Sequence, residues 1–393
     1  MQMHWNEARA AIRAEYARIG QSEAGEPPPG AFDRRRWDRL VQAGLWRMVV
    51  PPEHGGAGVD WWSFTAALEG LASTIRHPGL VLSVIGQAGM VRALELYGTE
   101  AQRRRYLRRI LAGELSATAI ADPDTGTDVR ATSSILAPGP NETFVLNGAK
   151  HNIAHAGIAT MVLIVCKLAG EGREGISLVL VDTDRPGLRA GPPDHKLGNA
   201  DLPTGRLEFD AMALDYGDLL GEPGRGLGNL VNIVSLGRLY YGLVGGWLLE
   251  PALAEALDYA QRRQTFGVPI LDHQYVQKKL TDIRIGIETS RWTAYGALHQ
   301  LLGGAPEAAM SCSIAKIAGA DTVIAAAVDL LRLHGSDGYH EGRVSGFLRD
   351  AMAFASVGGT DEMHRRNIMG QMLRLHRRAQ VAPVAAQPMR VAG

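Results

Sequence analysis

The hydrophobic pattern changes its period twice along the 393 residues, and that order of periods limits the fold more than any single motif. Up to about Glu114 the apolar residues recur at helical spacing, over Glu7 to Ile19, Phe32 to Ala43, Trp62 to Ala72, Leu80 to Tyr97 and Glu100 to Leu111. Gly44 reads as a helix C-cap, Pro27 to Gly30 as a linker, and the stretch Val50 to Gly58 is too rich in proline and glycine to be regular. From Glu114 to about Tyr216 the runs shorten and become β-rich. Phe144-Val145-Leu146 precedes an Asn147-Gly148 turn signal, Met161 to Cys166 and Ile176 to Val181 are apolar, and Arg206 to Phe209 alternates as a half-buried strand does. After Gly221-Glu222-Pro223-Gly224 helical spacing returns over Leu227 to Arg262, His273 to Leu302, Pro306 to Leu333 and Gly342 to Phe354. Pro251 falls inside the first of these and is expected to kink it or remove one backbone bond. Small residues such as Gly319 and Ala325 to Ala327 allow helices to approach closely.

This order predicts an α+β multidomain chain, divided at 1–114 (helical domain), 115–222 (β-domain) and 223–376 (helical bundle), with a disordered tail at 377–393. Lys plus Arg and Asp plus Glu both number 41, so no net charge draws the chain to nucleic acid or an anionic membrane. The arginines at 103, 104, 105, 108 and 109 read as a solvated helix face. No apolar run is expected to reach the length of a membrane span, and the N-terminus lacks a signal-peptide core. Cys166 and Cys312 sit among apolar neighbours and read as buried thiols, which fits a cytoplasmic protein. Neither has the Cys or His partners of a metal site, and neither a P-loop nor a Gly-x-Ser-x-Gly elbow occurs.

Several segments, in order over nearly the whole chain, resemble the acyl-CoA dehydrogenase family. They are Val50-Pro51-Pro52-Glu53-His54-Gly55-Gly56, Asp122-Pro123-Asp124-Thr125-Gly126-Thr127-Asp128, Asn147-Gly148-Ala149-Lys150, Tyr259 to Gly267 with Gln274, His334-Gly335-x-x-Gly338-Tyr339, Arg349-Asp350-Ala351 and Gly359-Thr360-x-Glu362. The resemblance implies a β-barrel-like middle domain, a C-terminal four-helix bundle and bound FAD. It implies cofactor contacts at Ala121, Thr127, Asn152, Ile153, Ala154, Arg263, Phe266, Gln274, Arg332, Gly335, Thr360 and Glu362. A guanidinium such as Arg263 suits a pyrophosphate because it donates two parallel hydrogen bonds. Some of these groups reach a neighbouring subunit's cofactor in the family, so a homodimer or homotetramer is expected.

The departures bear on chemistry. The family's catalytic glutamate precedes a Gly-Thr pair, where this chain has Gly358, and its alternative place on the first bundle helix aligns with Gly237. Neither glycine can take an α-proton. The family's Trp-Ile-Thr beside the flavin is Asn152-Ile153-Ala154 here, the hydroxyl before its Glu-Pro pair is missing at Ala121, and its Gln-x-x-Gly-Gly reads Arg332 to Ser336. Tyr240 and Tyr241, one turn beyond Gly237, and His155, with His151 near it, are the remaining candidates for a base. A lone tyrosine on a buried helix more often packs than reacts.

The expected activity is therefore an FAD-dependent oxidoreductase working on CH–CH bonds of a specialised acyl thioester. The carrier is CoA or an acyl carrier protein, as in natural-product (secondary) metabolism. A flavin monooxygenase or an elimination enzyme on the same fold is the alternative, and a non-catalytic scaffold or binding subunit is the second.

Overall fold

Helix α3 (Trp61–Ala72) is buried along its whole length, and α4 (Gly79–Tyr97) along most of it, so both are core elements. The computed structural model describes residues 6–21, 31–75, 77–126, 128–172 and 175–381. The linker through Pro27 to Gly30, Thr127 and the chain beyond 381 lie outside the described residues. Around the two buried helices pack α1 (Glu7–Gln21), α2 (Arg34–Gln42) and α5 (Glu100–Leu111). A capping box starts α5: the Thr99 hydroxyl accepts from Gln102 N at 3.2 Å, and the Gln102 carboxamide oxygen accepts from Thr99 N at 3.0 Å. The same carboxamide donates to the carbonyls of Gly217 and Leu219, tying the helices to the β-domain.

By length and composition α4, with 19 residues, passes for a membrane span, contrary to the expectation from sequence. However, 78% of its apolar window is buried inside the protein, which its role as a core helix explains. The arginine run of α5 also differs from expectation. Arg105 and Arg109 both pair with Asp182 of the β-domain, and Arg109 also binds Glu114, so two of the five arginines make a domain contact.

The β-domain holds β1 (Ser116–Ala119), β2 (Ile135–Pro138), β3 (Phe144–Ala154), β4 (Met161–Leu168), β5 (Ile176–Asp182), β6 (Leu188–Pro193) and β7 (Thr204–Leu214). Their order is β1-β4-β2-β3-β7-β6, with β5 on the far edge of β4. Strand β4 is parallel to β1 at its start and to β2 at its end; the other pairings are antiparallel. Past β1, the Ala121 carbonyl accepts from His151 N at 3.0 Å, so long β3 curls back towards the β1 exit.

Asn147-Gly148 is not a turn. It lies inside β3 as a bulge against β7, with the Asn147 side chain accepting from Ala211 N at 2.8 Å. Glycine is required there: φ is +146°, and a Cβ would come within 2.6 Å of Ser134 Cα. Bulges and tight turns favour the same residues, which is why the sequence signal misleads.

The C-terminal bundle contains α6 (Gly226–Trp247), α7 (Leu249–Arg262), α8 (Gln274–Leu302), α9 (Ala308–His334), α10 (Ser336–Tyr339), α11 (Arg343–Ala351) and α12 (Asp361–Val381). Helices α6, α8 and α9 pack together and α12 lies on α9. A Cβ on Gly242 would stand 2.1 Å from the Ala315 carbonyl, and one on Gly319 2.0 Å from the Gly242 carbonyl, so α6 and α9 cross at backbone contact. Pro251 does not kink a long helix. The helix breaks at Leu248, and Pro251 falls in the first turn of α7, where its missing N–H has no helical partner to lose. Between bundle and β-domain, Asp350 of α11 accepts from the backbone and carboxamide of Asn199.

Candidate active site

The predicted residues fall into three groups. The first lies where α6 meets the loop before α12. Gly358 has φ +73°, a left-handed conformation that only glycine takes cheaply, and a Cβ there would come within 2.5 Å of Tyr241 Cδ2. At Gly237 the nearest atoms to a built Cβ are Tyr241 Cε2 at 3.7 Å and Ile85 Cγ2 at 3.8 Å. One tyrosine ring therefore stands against both positions at which the resemblance places a carboxylate. Gly86 and Gly89 share the α4 face that carries Ile85; both are partly exposed, and Cβ atoms on them would meet nothing within 4 Å. That open, glycine-lined face borders the Tyr241 ring.

The two tyrosines, adjacent in sequence, separate in space because neighbouring helix positions point about 100° apart. Tyr241 is partly exposed, and its hydroxyl has no hydrogen-bond partner within the chain among the described residues. Burial of the ring pushes the phenol up to about 12, so at neutral pH it is an O–H donor and not a base. Tyr240 is fully buried at the end of an aromatic chain through Trp37, Trp46 and Phe64, and its hydroxyl meets Thr65 Oγ1 at 3.0 Å. The structure places Tyr240 in the core. His155 is also a core residue. Its ring nitrogens contact the Ser116 carbonyl at 3.2 Å and Ser83 Oγ at 2.8 Å, and burial lowers its pKa to about 4. A neutral, doubly engaged imidazole of this kind holds β3 to α4 and β1.

The second group is the sheet edge. Ala121, Asn152, Ile153 and Ala154 come together where β3 passes the β1 exit; Asn152 is exposed with φ +54°, and Ile153 is buried. Beside them His151 Nδ1 is buried without a partner, an orphaned polar atom of the kind a bound group satisfies. A wholly buried ion pair of Asp122 with Lys150 fixes this edge. Lys150 also donates to the Ile120 carbonyl at 2.9 Å, and Asp122 Oδ2 accepts from Thr132 Oγ1 at 2.7 Å. Burial opposes ionisation of both partners. For Asp122, Lys150 and the hydroxyl donors outweigh it and hold the carboxyl below its ordinary range; for Lys150, burial prevails and lowers the ammonium. Sequence reasoning missed the pair, although an isolated lysine at an inward strand position is a readable signal.

The third group is exposed. Arg263 caps α7 and leads into the hairpin of β8 (Gln264–Thr265) and β9 (Val268–Pro269), whose tip Phe266 is 98% exposed. Gln274 begins α8, exposed beside His273. Gly335 ends α9 with φ +58° and open space around it, one residue after His334, whose ring stacks on Tyr259 with centroids 4.3 Å apart. Arg332 lies outside on α9, 3.7 Å from Asp329. Thr360 caps α12, accepting from Met363 N at 3.4 Å, and Glu362 is exposed in the first turn. A guanidinium, an uncovered aromatic ring and a glycine cradle on one exposed face fit a dinucleotide, and the orphaned His151 nitrogen fits a polar ring edge.

Comparison with known proteins identifies the family. Family models described as "Acyl-CoA dehydrogenase, N-terminal domain", "middle domain" and "C-terminal domain" match residues 2–114, 117–212 and 224–373. An acyl-CoA dehydrogenase of Bacillus subtilis is 31% identical over 338 residues, covering 85% of this chain and 88% of the relative. A 3-sulfinopropanoyl-CoA desulfinase of Paraburkholderia xenovorans is 28% identical over 383 residues, covering 95% of each. The solved structure of butyryl-CoA dehydrogenase from Megasphaera elsdenii superposes with a TM-score of 0.88 at 25% identity, over 95% of this chain and 100% of that one. With its three-domain fold and all three family models matched, the chain belongs to the acyl-CoA dehydrogenase family, whose members are FAD-dependent.

Proposed function

We propose that this protein is an FAD-dependent oxidoreductase acting on the CH–CH bond of a specialised acyl thioester, carried on CoA or an acyl carrier protein. The carrying observation is Tyr241, which fills the space beside both Gly237 and Gly358. Bound FAD supplies the hydride acceptor or donor at the β-carbon. The sheet edge at Ala121 and Asn152 to Ala154 faces the flavin ring, while Arg263, Phe266, Gln274, Gly335, Thr360 and Glu362 serve its nucleotide half, some of them across a dimer or tetramer interface. Arg332 borders the pyrophosphate. The Asp122–Lys150 pair keeps the flavin edge rigid.

At the α-carbon the chain offers a neutral phenol where the family resemblance places a carboxylate. As a neutral phenol Tyr241 would deliver a proton to the α-carbon in the direction that saturates the bond; in the direction of oxidation it could not take one up at neutral pH. A simple fatty acyl thioester, whose α-proton needs a strong base, is a poor substrate for such a site. The free thiols Cys166 and Cys312 suit the cytoplasm.

Anaerobic titration of the flavin with a panel of acyl and enoyl thioesters tests this reading. One of them changes the redox state of the flavin, and Tyr241→Phe slows that step by about two to four decades. A flavin whose spectrum no thioester perturbs overturns it. Elimination without net oxidation is the second reading, favoured by the missing carboxylate and by likeness to the desulfinase. Turnover with the flavin oxidised throughout would select it.

A further inference from the structure

Arg238 lies beside the vacated base positions, and its charge is not neutralised. It follows Gly237 on α6, one turn before Tyr241. Its Nη2 contacts Met363 Sδ at 3.7 Å, and its Nε is buried with no hydrogen-bond partner. The electrostatic partner that supports its charge is the Cys312 thiol, itself pushed up to about 12 by burial and so uncharged at neutral pH. The nearby carboxylate of Asp361 is held at 3.0 Å by Lys316. Beyond Met363 the wholly buried His364 stands against the Gly358 backbone, and its Nε2 lies 3.2 Å from where a Gly359 Cβ would stand. Burial first, then Arg238 and Lys316, lower this imidazole to about 3, so it stays neutral.

Arg238 is partly exposed, but its Nε is buried with neither hydrogen-bond partner nor counter-charge, which is unfavourable, and donors left open beside it add to that cost. Here Arg238, the free Tyr241 hydroxyl and His364 gather around Gly358 and Gly359, with no carboxylate paired to Arg238 among the described residues. This arrangement is short of an anion. Arg263, the guanidinium best suited to the flavin phosphates, lies elsewhere, at the end of α7.

We infer that Arg238 receives a carboxylate carried by the acyl chain of the substrate, so that the substrate class is a carboxyacyl thioester. The inference rests on the thioester reading above and narrows it. The substrate brings the anion that the chain lacks at Gly237 and Gly358, and the guanidinium fixes it in two parallel hydrogen bonds. Tyr241 donates a further hydrogen bond to it.

The test is binding to the FAD-loaded protein, followed by calorimetry, for two near-isosteric pairs: succinyl-CoA against butyryl-CoA, and methylmalonyl-CoA against isobutyryl-CoA. The wild type is expected to prefer the carboxylated member of at least one pair by about ten-fold or more. Arg238→Met should abolish the preference and Arg238→Lys should keep part of it. Equal affinities within both pairs, or a preference that survives in Arg238→Met, overturn the inference and leave the thioester reading standing. If none of the four binds the wild type, the thioester reading falls and takes the inference with it. Circular dichroism checks that the variants fold, and if they do not, the wild-type pairs alone decide.

Discussion

Restoring a glutamate at the two vacated positions should have opposite structural consequences. At Gly358 the backbone is left-handed, with φ +73°. A non-glycine residue there costs about 1–2 kcal/mol. Its Cβ would also come within 2.5 Å of Tyr241 Cδ2 and 3.0 Å of Cε2, a rigid ring that cannot swing its near edge away without moving α6. Overpacking of that kind costs about 1–3 kcal/mol. Gly358→Glu should therefore destabilise by about 2–5 kcal/mol in all. At Gly237 the chain is regular helix, and the nearest atoms are at ordinary contact distance, 3.7 and 3.8 Å. Replacing a mid-helix glycine there gains about 0.5 kcal/mol of backbone entropy. Gly237→Glu should leave stability within about 1 kcal/mol of wild type. Thermal melts of both variants separate the cases: a fall of several degrees for Gly358→Glu, little change for Gly237→Glu. Adding Tyr241→Ala to Gly358→Glu should recover the overpacking part and leave the backbone part. If Gly358→Glu melts with the wild type, the reasoning from ring overlap and φ is refuted. Butyryl-CoA dehydrogenation is expected to appear in Gly237→Glu first.

Lys150→Met strands the buried Asp122 carboxylate and should cost about 3–5 kcal/mol, read from chemical denaturation, with loss of flavin affinity alongside. Glu69 is wholly buried, with the Tyr295 hydroxyl 2.5 Å from Oε1, and burial pushes it from 4.5 to about 7 despite Arg13 and Arg291. It binds its proton more tightly folded than unfolded, so its contribution is full below about pH 4.5 and is lost as pH rises through 7. The unfolding free energy, read from denaturant curves, should fall over that window by on the order of 3 kcal/mol at most, and Glu69→Gln should remove the slope. His155, depressed to about 4 by burial, should show a neutral imidazole by NMR at pH 5; a charged ring would contradict its placement in the core. Arg263→Ala with Phe266→Ala should release FAD on gel filtration at unchanged far-ultraviolet dichroism; full retention would remove the hairpin from the cofactor site.

The three-part architecture was legible because burial imposes a period near 3.6 on helices and 2 on strands, and the chain switches between them at Glu114 and Gly221. The bulge at Asn147-Gly148 was not, since a bulge and a turn draw on the same residues and only the β7 partner tells them apart. Nor was the break at Leu248, because Pro251 acts on the turn before it. Within the site, the missing carboxylates were readable by resemblance, but what replaces them was not. Helix α6 buries residues on nearly every side, so its pattern carries no phase to show that Tyr240 faces the core and Tyr241 the open side. Arg238 left a signal that reading passed over: a charge between Leu236 and Leu239 in an otherwise apolar helix. His364, in a strongly charged stretch, left none.

The central claim is a flavin-bearing thioester oxidoreductase, and the visible absorbance spectrum of the purified protein, with the cofactor released and identified after denaturation, tests it most directly. The account predicts stoichiometric FAD. A colourless protein that also fails to take up added FAD would contradict it.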